Sequence, residues 1–163
     1  MGDLTKHFST AEFAVSESYP QEAAKILFSK HDVFKAHLLA TLYGEPVRAY
    51  ISSVEGVECG LHVLSGKRSD ALNALVGGAE DSDHLFRNEC AAFDITFLTN
   101  TRERVFLAYK FLANSPTMFG QLIYYPEKNF IHVSIPSKKH FGECLVKTGG
   151  AFTMATNTRE ASA

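Results

Sequence analysis

The run Ala91-Ala92-Phe93-Asp94-Ile95 sets an aspartate inside an otherwise apolar segment. A carboxylate in such a place is costly unless a counter-charge neutralises it, and a metal ion would do so. Just upstream stand a glycine turn, Val76-Gly77-Gly78, and a histidine in a polar loop, Ser82-Asp83-His84. Downstream, Phe130-Ile131-His132-Val133-Ser134-Ile135 repeats the pattern of a strand carrying one ligand-type side chain. Strand alternation puts Ala92, Asp94 and Thr96 on one face and Phe93, Ile95 and Phe97 on the other. It likewise sets Phe130, His132 and Ser134 against Ile131, Val133 and Ile135. If the two strands pair, Asp94 and His132 come within roughly 5 Å of each other on a cleft-facing surface, and the large apolar residues build the core.

A loop histidine such as His84 then completes a site of two histidines and one carboxylate, with the fourth tetrahedral position open. Zn2+ in that setting brings the pKa of a water toward about 7 and polarises a carbonyl, the two requirements of amide hydrolysis. The residues alone leave a second reading open, in which Asp94 caps a turn or pairs with an arginine and His84 and His132 are ordinary polar histidines. His62, in an expected core strand, and His140, past the last strand pair, are weaker candidates. His7, His31 and His37 read as structural.

The 163 residues suit one domain with a sizeable core. Lys+Arg 16 against Asp+Glu 18 gives a formal charge of -2, which offers no electrostatic footprint for nucleic acid or an anionic membrane. No apolar run approaches the ~20 residues of a spanning helix, so membrane insertion is not expected. The opening Met1-Gly2-Asp3-Leu4-Thr5-Lys6 shows no signal-peptide pattern, and synthesis in the cytoplasm is the expectation. Cys59, Cys90 and Cys144 are too few and scattered for a disulfide framework or a cysteine zinc site, in keeping with a reducing compartment.

Ser9-Thr10-Ala11-Glu12 carries a capping-box signature. From Pro20 a helical spacing of apolar residues runs to Gly44, and Pro46 opens a further short helix. Leu61-His62-Val63-Leu64 reads as a strand ending at Ser65-Gly66; Ser69 caps a helix through Val76 that Gly77-Gly78 stops. Ala91 to Phe97 is a strand and Thr101 to Leu112 an amphipathic helix. Gly120–Tyr124 and Asn129–Ile135 form a hairpin around Tyr125-Pro126-Glu127-Lys128. Helices packed on a small, mainly antiparallel sheet make the fold class α+β. Residues 1–145 are assigned to one metallopeptidase-like domain and 146–163 to a C-terminal tail, within which Ala151-Phe152-Thr153-Met154 alternates weakly enough to suggest an edge strand.

Taken in order, Leu64-Ser65-Gly66-Lys67-Arg68-Ser69-Asp70-Ala71-Leu72-Asn73, Val76-Gly77-Gly78, Ser82-Asp83-His84, Ala92-Phe93-Asp94 and the His132 strand resemble the motifs of the zinc D-alanyl-D-alanine carboxypeptidases and related peptidoglycan endopeptidases. His7-Phe8-Ser9 with Glu12-Phe13 is similar to that family's N-terminal opening, so the likeness covers most of the chain. The resemblance implies the fold shared with the Hedgehog signalling domain and Zn2+ held by His84, Asp94 and His132. It further implies a peptidoglycan stem peptide as substrate, cleaved as a D-Ala-D-Ala end or within the stem. Arg68 matches the motif arginine, which implies that it holds a substrate carboxylate or the developing oxyanion; the alternative is a structural ion pair with a nearby carboxylate such as Asp70 or Asp81. Ser82 is the other substrate-side candidate, supporting the ligands through a hydrogen bond or serving as a turn residue.

The chain also departs from the pattern. His84 and Asp94 stand ten positions apart, a longer interval than usual, Arg87 replaces a customary glycine, and Lys67 an aromatic. The family's catalytic glutamate closely follows a Gln-(aliphatic)-Ile segment, whereas here Gln121-Leu122-Ile123 leads into Tyr124-Tyr125-Pro126-Glu127, leaving Glu127 as a displaced candidate base. A phage-type enzyme acting on the bacterial wall after lysis or from a virion is one expectation. A non-catalytic zinc-containing binding or virion structural module, with possible self-association, is the second. A cysteine hydrolase using Cys90 is the third.

Overall fold

The computed structural model describes residues 2–99 and 101–155. Their elements are α1 (Pro20–Ala23), α2 (Lys30–Leu39), α3 (Glu45–Glu55), β1 (Leu61–Ser65), α4 (Asp70–Leu75), β2 (Ala92–Phe97), α5 (Arg102–Asn114), β3 (Gln121–Tyr125), β4 (Phe130–Ser134), β5 (Glu143–Thr148) and β6 (Ala151–Met154). The strands form one six-stranded sheet in the order β1-β2-β4-β3-β5-β6. Every neighbouring pair is antiparallel except β3 and β5, which run parallel. This is the α+β class expected.

Capping chemistry decides where the helices begin. The Ser29 side chain accepts from the Asp32 N–H while the Asp32 carboxylate accepts from the Ser29 N–H at 2.9 Å, a reciprocal cap that starts α2 at Lys30. The helical spacing read from Pro20 to Gly44 is therefore split into a single turn, α1, and a fresh start after Ser29. At the other end α2 passes through one π-helical turn, Ala40–Gly44, straight into α3, so the two helices expected to be separate follow without a loop. Thr101 caps α5 by accepting from the Arg104 N–H.

The core lies between this helical layer and one face of the sheet. Phe8, Phe13, Tyr43, Val47 and Ile51 are fully buried from the helical side, and Phe93, Ile95, Leu122, Ile131 and Val133 from the strands. Phe13 stacks on Phe93 with ring centroids 5.7 Å apart. Each large apolar side chain so buried contributes roughly 1.5–3 kcal/mol. With these residues turned inward, alternation sends Asp94 and His132 to the opposite face.

The segment from residue 146, expected as a tail, is strand as far as Met154. β5 spans that boundary and pairs with β3, and β6 returns along β5 as the edge strand hinted at by the alternation of Ala151 to Met154. The remainder of the expected tail, residues 156–163, lies outside the described residues.

Candidate metal centre

Two loops are fastened together to present His84. The Arg68 N–H donates to the His84 carbonyl at 2.7 Å, and His84 Nδ1 meets the Gly66 carbonyl at 2.8 Å. Gly66 is required there, since a Cβ would stand 2.5 Å from the Phe13 carbonyl oxygen. Because a carbonyl only accepts, Nδ1 carries the hydrogen in this contact and Nε2 presents its lone pair to the site.

Asp94 and His132 are direct cross-strand partners on β2 and β4. His84 Nε2 lies 3.3 Å from Asp94 Oδ1 and 3.3 Å from His132 Nδ1, and His132 Nδ1 lies 2.8 Å from Asp94 Oδ1. All three residues are buried. Ligand atoms about 2.0–2.1 Å from a tetrahedral ion stand roughly 3.3 Å apart, which two of these three separations match. The chemistry of the donors agrees. Burial pushes the His84 imidazole toward its neutral form, so its lone pair faces the carboxylate oxygen with no hydrogen between them, and a cation is what such a pair accommodates. The residues therefore fit a single divalent ion with two nitrogen ligands and one oxygen ligand.

Arg68 reaches the other oxygen of the same carboxylate, Asp94 Oδ2, at 3.4 Å, and its Nε donates to Ser65 Oγ at 2.9 Å. The two carboxylates named as its alternative partners pair elsewhere, Asp70 with Arg87 and Asp81 with Lys139, and the ion pair that Arg68 does make is with Asp94. Ser82 follows its turn reading, accepting from the His84 N–H at 3.4 Å as the cap of the short helical turn Asp83–Leu85, while also lining the cleft. Glu127 stands apart. It is exposed at the β3–β4 turn, where its Oε1 accepts from the Gly149 N–H at 2.8 Å, and it is not among the residues lining the cleft over the three ligands. Its geometry is that of a tie between two turns. Burial pushes the Cys90 thiol up, the reverse of what a cysteine nucleophile needs.

The cleft also contains residues that sequence reasoning passed over. Tyr125, at the end of β3, stacks on Phe130 with centroids 4.3 Å apart; burial first, then the nearby Asp94 charge, push its phenol up to about 12 despite the opposing Arg68. Asp83 is buried, lines the same cleft and faces Lys139 Nζ through Oδ1 at 3.5 Å, while its Oδ2 has no hydrogen-bond partner. Lys147 and Phe152 enter from β5 and β6.

An α+β fold in which two adjacent inner strands and one pinned loop bring two histidines and an aspartate together at a cleft defines a protein with a candidate three-ligand metal site. The chain belongs to the Peptidase M15 family: the model of that family matches residues 6–134, which include all three candidate ligands. No curated protein and no solved structure matches the chain. Among the described residues no helix is long and apolar enough to cross a membrane.

Proposed function

We propose that this protein is a zinc-dependent peptidase that hydrolyses peptidoglycan stem peptides, as a D-Ala-D-Ala carboxypeptidase or an endopeptidase, on the bacterial wall after lysis or from a virion. The observation that carries the reading is the convergence of His84 Nε2, His132 Nδ1 and Asp94 Oδ1 within 4.8 Å of one another in a member of a peptidase family. His84, Asp94 and His132 would hold the ion, and zinc there supplies Lewis acidity and a nucleophile at neutral pH. Arg68 meets the outer oxygen of the Asp94 carboxylate and so favours the orientation in which Oδ1 faces the histidines. Tyr125, protonated at neutral pH, offers the cleft a hydroxyl donor.

One observation favours the second reading, a non-catalytic zinc-containing binding or structural module. Peptide hydrolysis needs a group to carry a proton from nucleophile to leaving amine. Among the described residues lining the cleft the carboxylates are Asp81 and Asp83, both facing Lys139, and the ligand Asp94. Incubating the zinc-loaded chain with purified stem peptides, beside His132→Ala, decides between them. Metal-dependent release of a peptide fragment or D-alanine, lost in the variant together with stoichiometric zinc, is the expected result. Full zinc with no cleavage of any stem peptide would leave the binding module.

A further inference from the structure

We propose that the β5–β6 hairpin is a substrate-binding wall of the cleft, with Lys147 as the cation that receives a free carboxylate of the peptide. This deepens the peptidase reading and rests on it. The hairpin lies beyond residue 134, where the family match ends.

Two rows of side chains cross the cleft face of the sheet. In the first, Asp94, His132, Ile123 and Leu145 are successive partners across β2, β4, β3 and β5. The second lies two residues further along each strand, roughly 7 Å away. There Tyr125 stands opposite Phe130 and Lys147 opposite Phe152, with Lys147 Nζ 5.7 Å from the Tyr125 ring centroid and 4.6 Å from that of Phe152. A substrate whose scissile bond sits over the first row passes across the second.

The charges in the cleft single out Lys147 by elimination. Arg68 is engaged by Asp94 and Ser65, Lys139 by Asp81 and Asp83, and His140 by Glu143 at 2.9 Å. Among the described residues, Lys128 and Lys147 are the cleft cations with no carboxylate in ion-pair range. Lys128 is exposed on the β3–β4 turn, whereas Lys147 is half-buried. Two aromatic rings flank the Lys147 ammonium without neutralising it, so an arriving carboxylate meets a positioned cation that no other carboxylate occupies. Lys147 would thus offer a substrate carboxylate a second cation in the cleft beside Arg68.

The test uses the zinc-loaded full chain and two synthetic stem peptides, one with a free C-terminal carboxylate and one with the C-terminal amide. Binding is read by calorimetry and cleavage by chromatography. The free acid should bind roughly 10-fold tighter than the amide, with the preference shrinking as salt rises. Lys147→Met should abolish the preference with zinc content and thermal midpoint unchanged, and Lys147→Arg should retain it. If Lys147→Met keeps the preference, or the parent shows none, the wall is overturned even where cleavage proceeds. If the parent binds the acid through Lys147 but cleaves neither peptide, the wall stands and the peptidase reading falls. Absence of both binding and cleavage overturns both.

Discussion

Asp94 uses its two oxygens differently: Oδ1 joins the histidine nitrogens and Oδ2 meets Arg68. A carboxylate held this way has little freedom to rotate, and the Gly66 carbonyl likewise fixes the His84 ring through Nδ1. Glu127 shows the opposite economy, an exposed acid whose visible work is one backbone hydrogen bond. An amide oxygen accepts that bond equally well, so Glu127→Gln should fold, bind zinc and turn over stem peptides within about threefold of the parent, against the 10²–10⁴-fold loss typical of a missing general base. Steady-state kinetics on the zinc-loaded variant check this, and a loss of the larger size would return Glu127 to the chemistry. The ligands themselves were legible because strand alternation and family motif order agree on them. The place of Glu127, outside the cleft lining, was not legible, because sequence proximity to Gln121-Leu122-Ile123 says nothing about which way a turn residue points.

At the scale of elements, the cap of α2 is also a joint. The Asp32 carboxylate that closes the Ser29 cap also receives Lys67 Nζ at 2.7 Å, tying the helix to the loop that presents Gly66 and Arg68. Burial would raise the Asp32 carboxyl, but Lys67 and Ser29 outweigh it and hold the group below its ordinary 3.8. A depressed folded-state value stabilises the fold fully above the unfolded-state value, and the contribution is lost as pH falls through the folded-state one. Lys67→Met should therefore cost about 1–2 kcal/mol at pH 7 and progressively less toward pH 3, as urea titrations at the two pH values would show. The same joint explains what the chain pattern hid: apolar spacing continues from Pro20 to Gly44, yet the reciprocal cap restarts the helix. Strands β1 to β4 and helices α4 and α5 were readable because their caps, glycines and alternation coincide. β5 was not, since a parallel partner reached by a crossover leaves no local turn signature. Glu143-Cys144-Leu145-Val146-Lys147-Thr148 looks polar because one of its faces lines a cleft.

For the whole molecule, the order β1-β2-β4-β3-β5-β6 places β2 and β4, which carry Asp94 and His132, beside each other inside the sheet and the β5–β6 hairpin at its margin. All six residues of β2 are buried, whereas all four of β6 are exposed. Cooperative opening starts where little apolar surface is covered, and amides exchange with solvent at rates set by the smallest opening that frees them. Hydrogen exchange should accordingly be fastest in β6, intermediate in β5 and slowest in β2 and β4; equal protection of β6 and β2 would show instead that the sheet opens only as one unit. Such a gradient gives the cleft walls unequal lifetimes. The hairpin can peel from β3 and close again many times while Asp94, His132 and the loop bearing His84 stay assembled, so the far wall acts as a door whose hinge is a single parallel ladder.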